Sequence, residues 1–327
     1  MKISVIIAVY NDIELDQCLD SVFKSKNIEF EVIVVDDGST RVDIKEIVNK
    51  YSQCRHFAFR ENEGPAVARN YGVKKATGEI VFFLDSDAQI YPDTLERIMR
   101  HFEDDPELDG VTIIYSDQPV KENYFNKFKA IELNYNFKNF FDKVFGTNGS
   151  AIYKEAFLDI GGFDENFKTA NAEDFYFGKK VFNKGYKIIL DKGISLKNSY
   201  VDRFLFQGLI KYCRRAFLRV LVLYQLKHKT ETSYDTKKFK LLYLCSISIF
   251  ILFVLGSVFR PFLWLALLLF SVFSIYNRKL YLIFYKKYGF LFFVRSVFTH
   301  YFYILIVTFS GTAGLIYALL FRKKNSL

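Results

Sequence analysis

Cysteine, histidine and, past residue 200, acid are what this 327-residue chain is short of. Its four cysteines (Cys18, Cys54, Cys213, Cys245) are scattered, with no CxxC pair and no histidine at ligand spacing. That argues against a disulfide framework and a zinc site, and it suits a reducing compartment. Residues 201–327 hold 19 Lys and Arg against 3 Asp and Glu, whereas residues 1–200 hold 26 against 33. A basic half can face nucleic acid or an anionic membrane. Here the cations flank long apolar runs, so a membrane is expected and no nucleic acid. Nor is a secretory leader expected from the first residues. The apolar run of "MKISVIIAVYND" is short, has no small-residue cleavage site and leads into Asn11-Asp12. It reads as a first buried strand of a front domain that faces the cytoplasm. No repeat or low-complexity tract appears.

What is abundant is apolar and aromatic: 51% hydrophobic residues, with 37 Phe and 22 Tyr. The first hundred residues alternate strand and helix patterns. "ISVIIAVY", "FEVIVVDDGS" and "EIVFFLDSD" are near-continuous apolar runs of the kind buried on both faces of a parallel sheet. Helical spacing falls between them, at 13–25, 41–52 and 65–76, and again after Pro92-Asp93. The implied fold class is α/β, a Rossmann-like, mostly parallel sheet with helices on both faces and ligands beyond the carboxyl ends of its strands. Residues 1–110 and 111–200 form the two halves of this front domain, the second α+β in pattern. Residues 201–240 carry a basic amphipathic helix with Lys211, Arg214, Arg215 and Arg219, suited to the membrane interface, and a linker.

After residue 240 the chain changes solvent. Residues 241–259 run without a charge, Arg260-Pro261 interrupts, and 262–276 is apolar again. This predicts a membrane hairpin over 241–276. Arg278, Lys279, Lys286 and Lys287 mark 277–287 as a cytoplasmic loop. A third apolar run, 296–321, either spans or is bent at Ser310-Gly311-Thr312-Ala313-Gly314 into a re-entrant segment.

Chemistry gathers at the strand ends. The first strand ends at Tyr10-Asn11, the second at Asp36-Asp37, and another at Asp85-Ser86-Asp87. An isolated D-x-D pair is more often an acidic turn capping the next helix. Three polar strand ends at one sheet edge favour a hard cation instead, because Mg²⁺ takes one or two carboxylates plus substrate phosphates.

"SVIIAVYN", "VIVVDDGST", "NEGPAVARNYG", "GEIVFFLDSDAQIYP" and "GGFDENFKTANAEDFYFGKKV" occur in this order. In order and spacing this set resembles the family 2 glycosyltransferases, inverting enzymes of the GT-A fold that use nucleotide sugars. The resemblance covers roughly residues 1–190. It implies a nucleotide-sugar-binding half (1–110), an acceptor half (111–200) and Mn²⁺ or Mg²⁺ as cofactor. Carried over by position, Tyr10 stacks on the base, Asp36 and Asp37 line the nucleotide pocket, and Arg69 reaches base or diphosphate. Asp85 meets the ribose or the metal's waters, and Asp87 ligates the metal. Asp174 is the catalytic base supported by Glu173, while Asn148, Gly162 and Asp164 lie on the acceptor side. Without the resemblance, Glu173-Asp174 would read as a helix N-terminal cap.

The expected function is transfer of a sugar, from a UDP-sugar, to a hydroxyl of a lipid-linked or cell-surface glycan at the plasma (inner) membrane. Multi-pass attachment leaves the catalytic domain cytoplasmic. Two alternatives stand beside it. A polyprenyl-phosphate sugar synthase needs no base, and a non-catalytic scaffold of a glycan-assembly complex would not need both Asp87 and Asp174. Gln207 with Arg214-Arg215 lacks the spacing and tryptophan of the Q-x-x-R-W signature of processive members, so processive synthesis is not expected.

Overall fold

The computed structural model describes residues 1–167, 172–200, 205–225 and 237–321. Strands β1 (Ile3–Val9), β2 (Phe30–Asp36), β3 (Cys54–Ala58) and β4 (Ile80–Phe83) lie parallel, in the order β3-β2-β1-β4. Side chains alternate across a strand. Ile3, Val5, Ile7, Val32, Val34, Ile80 and Phe82 therefore feed one core, while Ile6, Ile33, Val35, Val81 and Phe83 feed the other. Helices α1 (Leu15–Phe23), α2 (Ile44–Val48) and α4 (Thr94–Asp104) cover the first face. Helices α3 (Pro65–Lys75), α6 (Lys154–Ile160) and α7 (Glu173–Asn183) cover the second. Double burial is why these strands read as unbroken apolar runs.

The sheet continues through β7 (Ser150–Tyr153), β6 (Gly110–Tyr115), β8 (Ile188–Asn198) and β5 (Ala88–Ile90). β7 runs antiparallel to β4 and β6, and β5 antiparallel to β8, so the second half of the sheet is mixed. The expected α/β architecture with helices on both faces is the one adopted. β7 follows β6 only after the long helix that spans Tyr124–Phe140, and pairs with β6 antiparallel.

Helix α5 (Tyr124–Phe140) joins this domain to the helices that follow: α8 (Leu205–Gln225), α9 (Lys237–Leu255), α10 (Pro261–Tyr276) and α11 (Arg278–Phe321). Its Phe125, Phe128 and Ile131 pack with Tyr212 of α8 and with Leu280, Tyr281 and Phe284 of α11. Phe137 and Phe141, just beyond, pack with Phe239 of α9 and Ile304 of α11. Helices α9 and α11 are long and apolar enough to cross a membrane, and α10 is a shorter apolar helix started by Pro261. Their outward faces are greasy: Trp264 is 74% exposed and Leu291 83%.

Two expectations change here. The stretch expected as a loop over 277–287 is instead, from residue 278, the start of α11, because Leu280, Tyr281 and Phe284 form a buried helical stripe behind the four cations. The break falls later, at Gly289, where φ is +83°. The 296–321 run is not bent at Ser310–Gly314. Its small residues let α11 approach α8: a Cβ on Gly314 would meet the Phe217 carbonyl oxygen at 2.8 Å, and Ser310 Oγ donates to the Cys213 carbonyl at 2.6 Å. Arg322-Lys323-Lys324, the lysines before 237 and the Gln207 side chain lie outside what is described.

Candidate active site

The carboxyl edge of the sheet is built from three loops that hold one another. Asn11, at φ +52°, accepts from the amides of Thr40 and Arg41 at 2.9 and 2.7 Å, tying the loop after β1 to the loop after β2. Tyr10 stands on that fixed turn, 48% exposed. Asp36 accepts from the Ser39 amide at 2.9 Å and closes the turn after β2. Asp37 is buried and accepts from the amides of Glu63 and Gly64, at 2.8 and 3.0 Å, and from Asn62 Nδ2 at 3.0 Å. Burial raises its pKa even so, against the pull of those amides. Asp37 therefore anchors the chain entering α3, whose first residue, Pro65, has no amide hydrogen to satisfy.

Arg69 of α3 is the centre of the site. It is 6% exposed, and its two terminal nitrogens reach Asp85 Oδ1 at 2.9 Å and Glu173 Oε1 at 3.0 Å. Burial alone would lower its pKa; Asp85, Glu173 and Asp174 outweigh burial and raise it. Glu173, the first residue of α7, is buried, and its other oxygen accepts from the Ala172 amide at 3.1 Å. Asp174 lies beside it, half-buried, with Oδ1 2.6 Å from the Phe175 amide. Two sequence-distant segments, the end of β4 and the start of α7, are thus clamped by one guanidinium.

Asp87 differs from its neighbours. Among the described residues no side chain or amide donates a hydrogen bond to its carboxyl. Desolvation, then the charge of Asp85, pushes its pKa up to about 7. Ser86 turns the other way, donating to Asp12 at 2.6 Å. A half-buried carboxylate without donors beside a second carboxylate is a donor set for a hard divalent cation. Among the described residues no cluster of three His, Cys, Asp or Glu could hold a metal unaided.

Arg69, Asp85, Asp87, Asn148, Glu173 and Asp174 line a cavity of about 480 Å³. Asn148 is held there by Asn198 Oδ1, to which it donates at 2.7 Å, and it faces the Asp85 amide at 3.4 Å. Tyr10, Asp36 and Asp37 share the sheet edge but are not among the lining residues. Gly162 and Asp164 are not either. Gly162 has φ +63°, and a Cβ there would sit 2.8 Å from Asn70 Oδ1. Asn70 in turn takes the Phe163 amide at 2.9 Å and donates to its carbonyl at 2.9 Å, so the glycine turn docks α6 onto α3. Asp164 closes a local turn with Asn166. The cavity also has walls that motif reading passed over: Lys129, Glu132 and Asn136 of α5 and Tyr212 of α8. Lys211, Arg215 and Arg219 of α8, expected at the membrane interface, line it instead. The recurrence of cations at 211, 215 and 219, one helical turn apart, was the signal available.

Residues 4–161 match the family described as Glycosyl transferase family 2. An uncharacterized glycosyltransferase of Rickettsia bellii is 42% identical over 106 residues, which are 32% of this chain and 15% of that protein. Glycosyltransferase GlyA of Streptococcus pneumoniae is 28% identical over 178 residues, 53% of this chain and 23% of that protein. The chain thus spans under a quarter of the length of either of these two relatives. Among solved structures, the mannosyltransferase PcManGT from Pyrobaculum calidifontis, in complex with GDP-Man and Mn²⁺, is similar over 98% of this chain and 88% of its own. Its TM-score is 0.61 at 19% identity. TarS of S. aureus, residues 1–349, covers 68% of this chain and 65% of its own, with TM-score 0.50 and 24% identity. Both likenesses concern the fold, which is the GT-A fold.

Proposed function

This chain belongs, through residues 4–161, to glycosyl transferase family 2, and from that premise we propose that it transfers a sugar from a nucleoside diphosphate to an acceptor hydroxyl with inversion. The observation that carries the reading is the meeting of Asp85, Asp87, Arg69, Glu173 and Asp174 in one cavity. In the reaction the acceptor oxygen bonds to the anomeric carbon. The bond from that carbon to the diphosphate oxygen breaks, and its electron pair leaves with the diphosphate. The proton of the acceptor goes to Asp174, the half-buried carboxylate at the start of α7. Glu173 cannot serve as base, because Arg69 and the Ala172 amide hold both its oxygens. Its part is to keep Arg69 and α7 in register.

Asp85 and Asp87 would hold Mn²⁺ or Mg²⁺, which neutralises the charge growing on the departing diphosphate. The nucleoside end of the donor is assigned to Tyr10 and Asp36, at the same edge of the sheet but outside the cavity. Asp37 is given a supporting part, since its oxygens are engaged by the loop before α3. Asn148 belongs to the acceptor side, while Gly162 and Asp164 act through packing. The exposed apolar faces of α9, α10 and α11 support a multi-pass membrane protein with its catalytic domain on the cytoplasmic side.

The test is binding of a panel of nucleotide sugars to the purified chain, with Mn²⁺ and then with EDTA. The panel begins with UDP-sugars and includes GDP-Man, the ligand of one structural neighbour. Metal-dependent binding of one donor is expected, lost in Asp87→Ala. A folded sample that binds none of them contradicts the reading.

A further inference from the structure

The end of β8 is held from several sides. Asn198 takes Asn148 on its side-chain oxygen at 2.7 Å and donates to the Ser199 carbonyl at 2.9 Å. The Ser199 amide donates to the Asp87 carbonyl at 3.0 Å. The Tyr200 carbonyl accepts from Lys211 at 3.3 Å, and the Tyr200 ring lies beside that of Tyr115, with centroids 6.4 Å apart. The Tyr200 hydroxyl is treated differently. The residue is buried and lines the cavity, yet its hydroxyl has no hydrogen-bond partner among the described residues. Leaving such a group unpaired costs about 1–3 kcal/mol, so the fold gains nothing from it over a phenylalanine. Burial, then Tyr212, Tyr115, Glu132 and Asp87, hold the phenol well above its ordinary pKa. It is a donor at neutral pH.

Glu132 and Asn136 of α5, both buried, line the same cavity. Glu132 Oε2 takes Lys129 Nζ at 2.6 Å, and Oε1 takes Asn136 Nδ2 at 2.5 Å. Asn136 Oδ1 in turn takes Lys238 at 3.2 Å. These bonds fix the groups without exhausting them. Each Glu132 oxygen keeps a lone pair, and the Asn136 amide keeps a second hydrogen. Lys129 cancels the charge of Glu132. The cations of α8 act nearer the reacting carboxylates: Lys211 draws Asp87 down, and Asp174 adds to the charge felt by Arg215. What α5 and Tyr200 offer is therefore a set of fixed donors and acceptors beside tyrosine rings, which suits a ring of hydroxyl groups.

We propose that Tyr200 is a specificity residue for the acceptor: with Glu132 and Asn136 it hydrogen-bonds hydroxyl groups of a neutral sugar ring, the ring that also carries the hydroxyl deprotonated by Asp174. The inference rests on the transferase reading and deepens it, by stating what the acceptor presents to the site. Position favours the acceptor over the donor. The nucleoside is assigned to the β1 and β2 edge and the diphosphate to Asp85 and Asp87. Tyr200 is tied to the Asp87 segment through Ser199, but its neighbours are Tyr115, Tyr212 and Glu132. Inversion brings the acceptor to the anomeric carbon from the side opposite the diphosphate, and Asp174 lines the same space.

The experiment uses the full chain in a detergent without a sugar head group, with Mn²⁺ and the nucleotide sugar it binds. Neutral octyl hexosides and octyl N-acetylhexosaminides are the acceptor probes, farnesyl phosphate is the control, and product mass reports transfer. Transfer to a neutral glycoside is expected. Tyr200→Phe should raise KM for that glycoside roughly 3- to 10-fold, the worth of one neutral hydrogen bond, with kcat and donor Kd near wild type. Because the fold leaves this hydroxyl unpaired, the variant should unfold at no lower Tm than wild type. An unchanged KM would overturn the inference. So would a donor Kd that weakens as much as the glycoside KM, since the hydroxyl would then serve the donor, or a fall in Tm, which would make it structural. A protein that binds donor but transfers only to farnesyl phosphate, or to no neutral glycoside, overturns the subsite and leaves nucleotide-sugar binding standing. A folded wild type that binds no nucleotide sugar sinks the transferase reading itself, and the inference with it.

Discussion

Glu31 and Asp87 are carboxylates at opposite ends of one sheet, and they are treated in opposite ways. Glu31 sits at the amino edge, near the start of β2. Its Oε1 accepts from Ser4 Oγ at 2.6 Å, the Thr77 amide at 2.6 Å and Thr77 Oγ1 at 2.8 Å, while Oε2 takes Arg55 at 2.8 Å. Desolvation would raise its pKa, but these donors bring it down to about 2. Asp87 at the carboxyl edge has no described donor and is pushed up to about 7 by desolvation and Asp85. The first carboxylate is complete and fastens β1, β2 and the turn before β4. The second is incomplete, and an incomplete carboxylate costs stability unless something binds it. The difference separates an anchor from a site.

The sharpest way to test that contrast is at the carboxyl edge. Asp174→Asn should lower turnover by roughly 10²- to 10⁴-fold, the usual worth of a general base, while metal-dependent donor binding persists. Single-turnover kinetics beside a binding isotherm would separate the two. Arg69→Ala removes the buried guanidinium between Asp85 and Glu173 and should cost about 3–5 kcal/mol of stability, measured by denaturant unfolding. Little loss would mean that the clamp between β4 and α7 is not structural.

At the amino edge the expected effect is smaller and concerns stability alone. Glu31→Gln should cost about 2 kcal/mol at neutral pH and leave donor binding intact. Its folded pKa lies below the ordinary 4.5, so the wild-type contribution is complete above that value and is lost as pH falls toward about 2. The gap between wild type and Glu31→Gln should therefore close on acidification; a gap constant from pH 7 to 3 would contradict the assignment. Asn70→Ala, which frees the glycine turn after α6, should cost about 1–2 kcal/mol with turnover reduced only through looser packing.

Much of the front domain was legible because double burial writes itself into a strand as a run such as "VIIAV", and the polar residue that follows marks the edge where ligands bind. Asp85, Asp87, Glu173 and Asp174 could be placed together from motifs. Arg69 could be placed in the donor pocket with them, but its pairing with Asp85 and Glu173 could not be read, since a guanidinium between residues 16 and 104 positions away leaves no local trace. Asp37 read as a ligand residue but is engaged by the chain before α3, because a strand-end aspartate looks the same whether it meets amides or substrate. The start of α11 was hidden by four surface cations. Lys211 and Arg215 were visible as charges on an amphipathic helix, yet their role depends on α11 and α5 arriving from elsewhere to wall the cavity.

The central claim is that Asp87, the unsatisfied carboxylate at the carboxyl edge, belongs to a cation and donor site, and that the satisfied Glu31 at the amino edge does not. Thermal unfolding of wild type, Asp87→Asn and Glu31→Gln, each with and without Mn²⁺ plus the nucleoside diphosphate of the donor, tests it most directly. Wild type should rise in Tm on addition, and Asp87→Asn should not respond. Glu31→Gln should start lower and rise by the same amount as wild type. An Asp87→Asn protein that keeps the full metal-dependent rise would contradict the account.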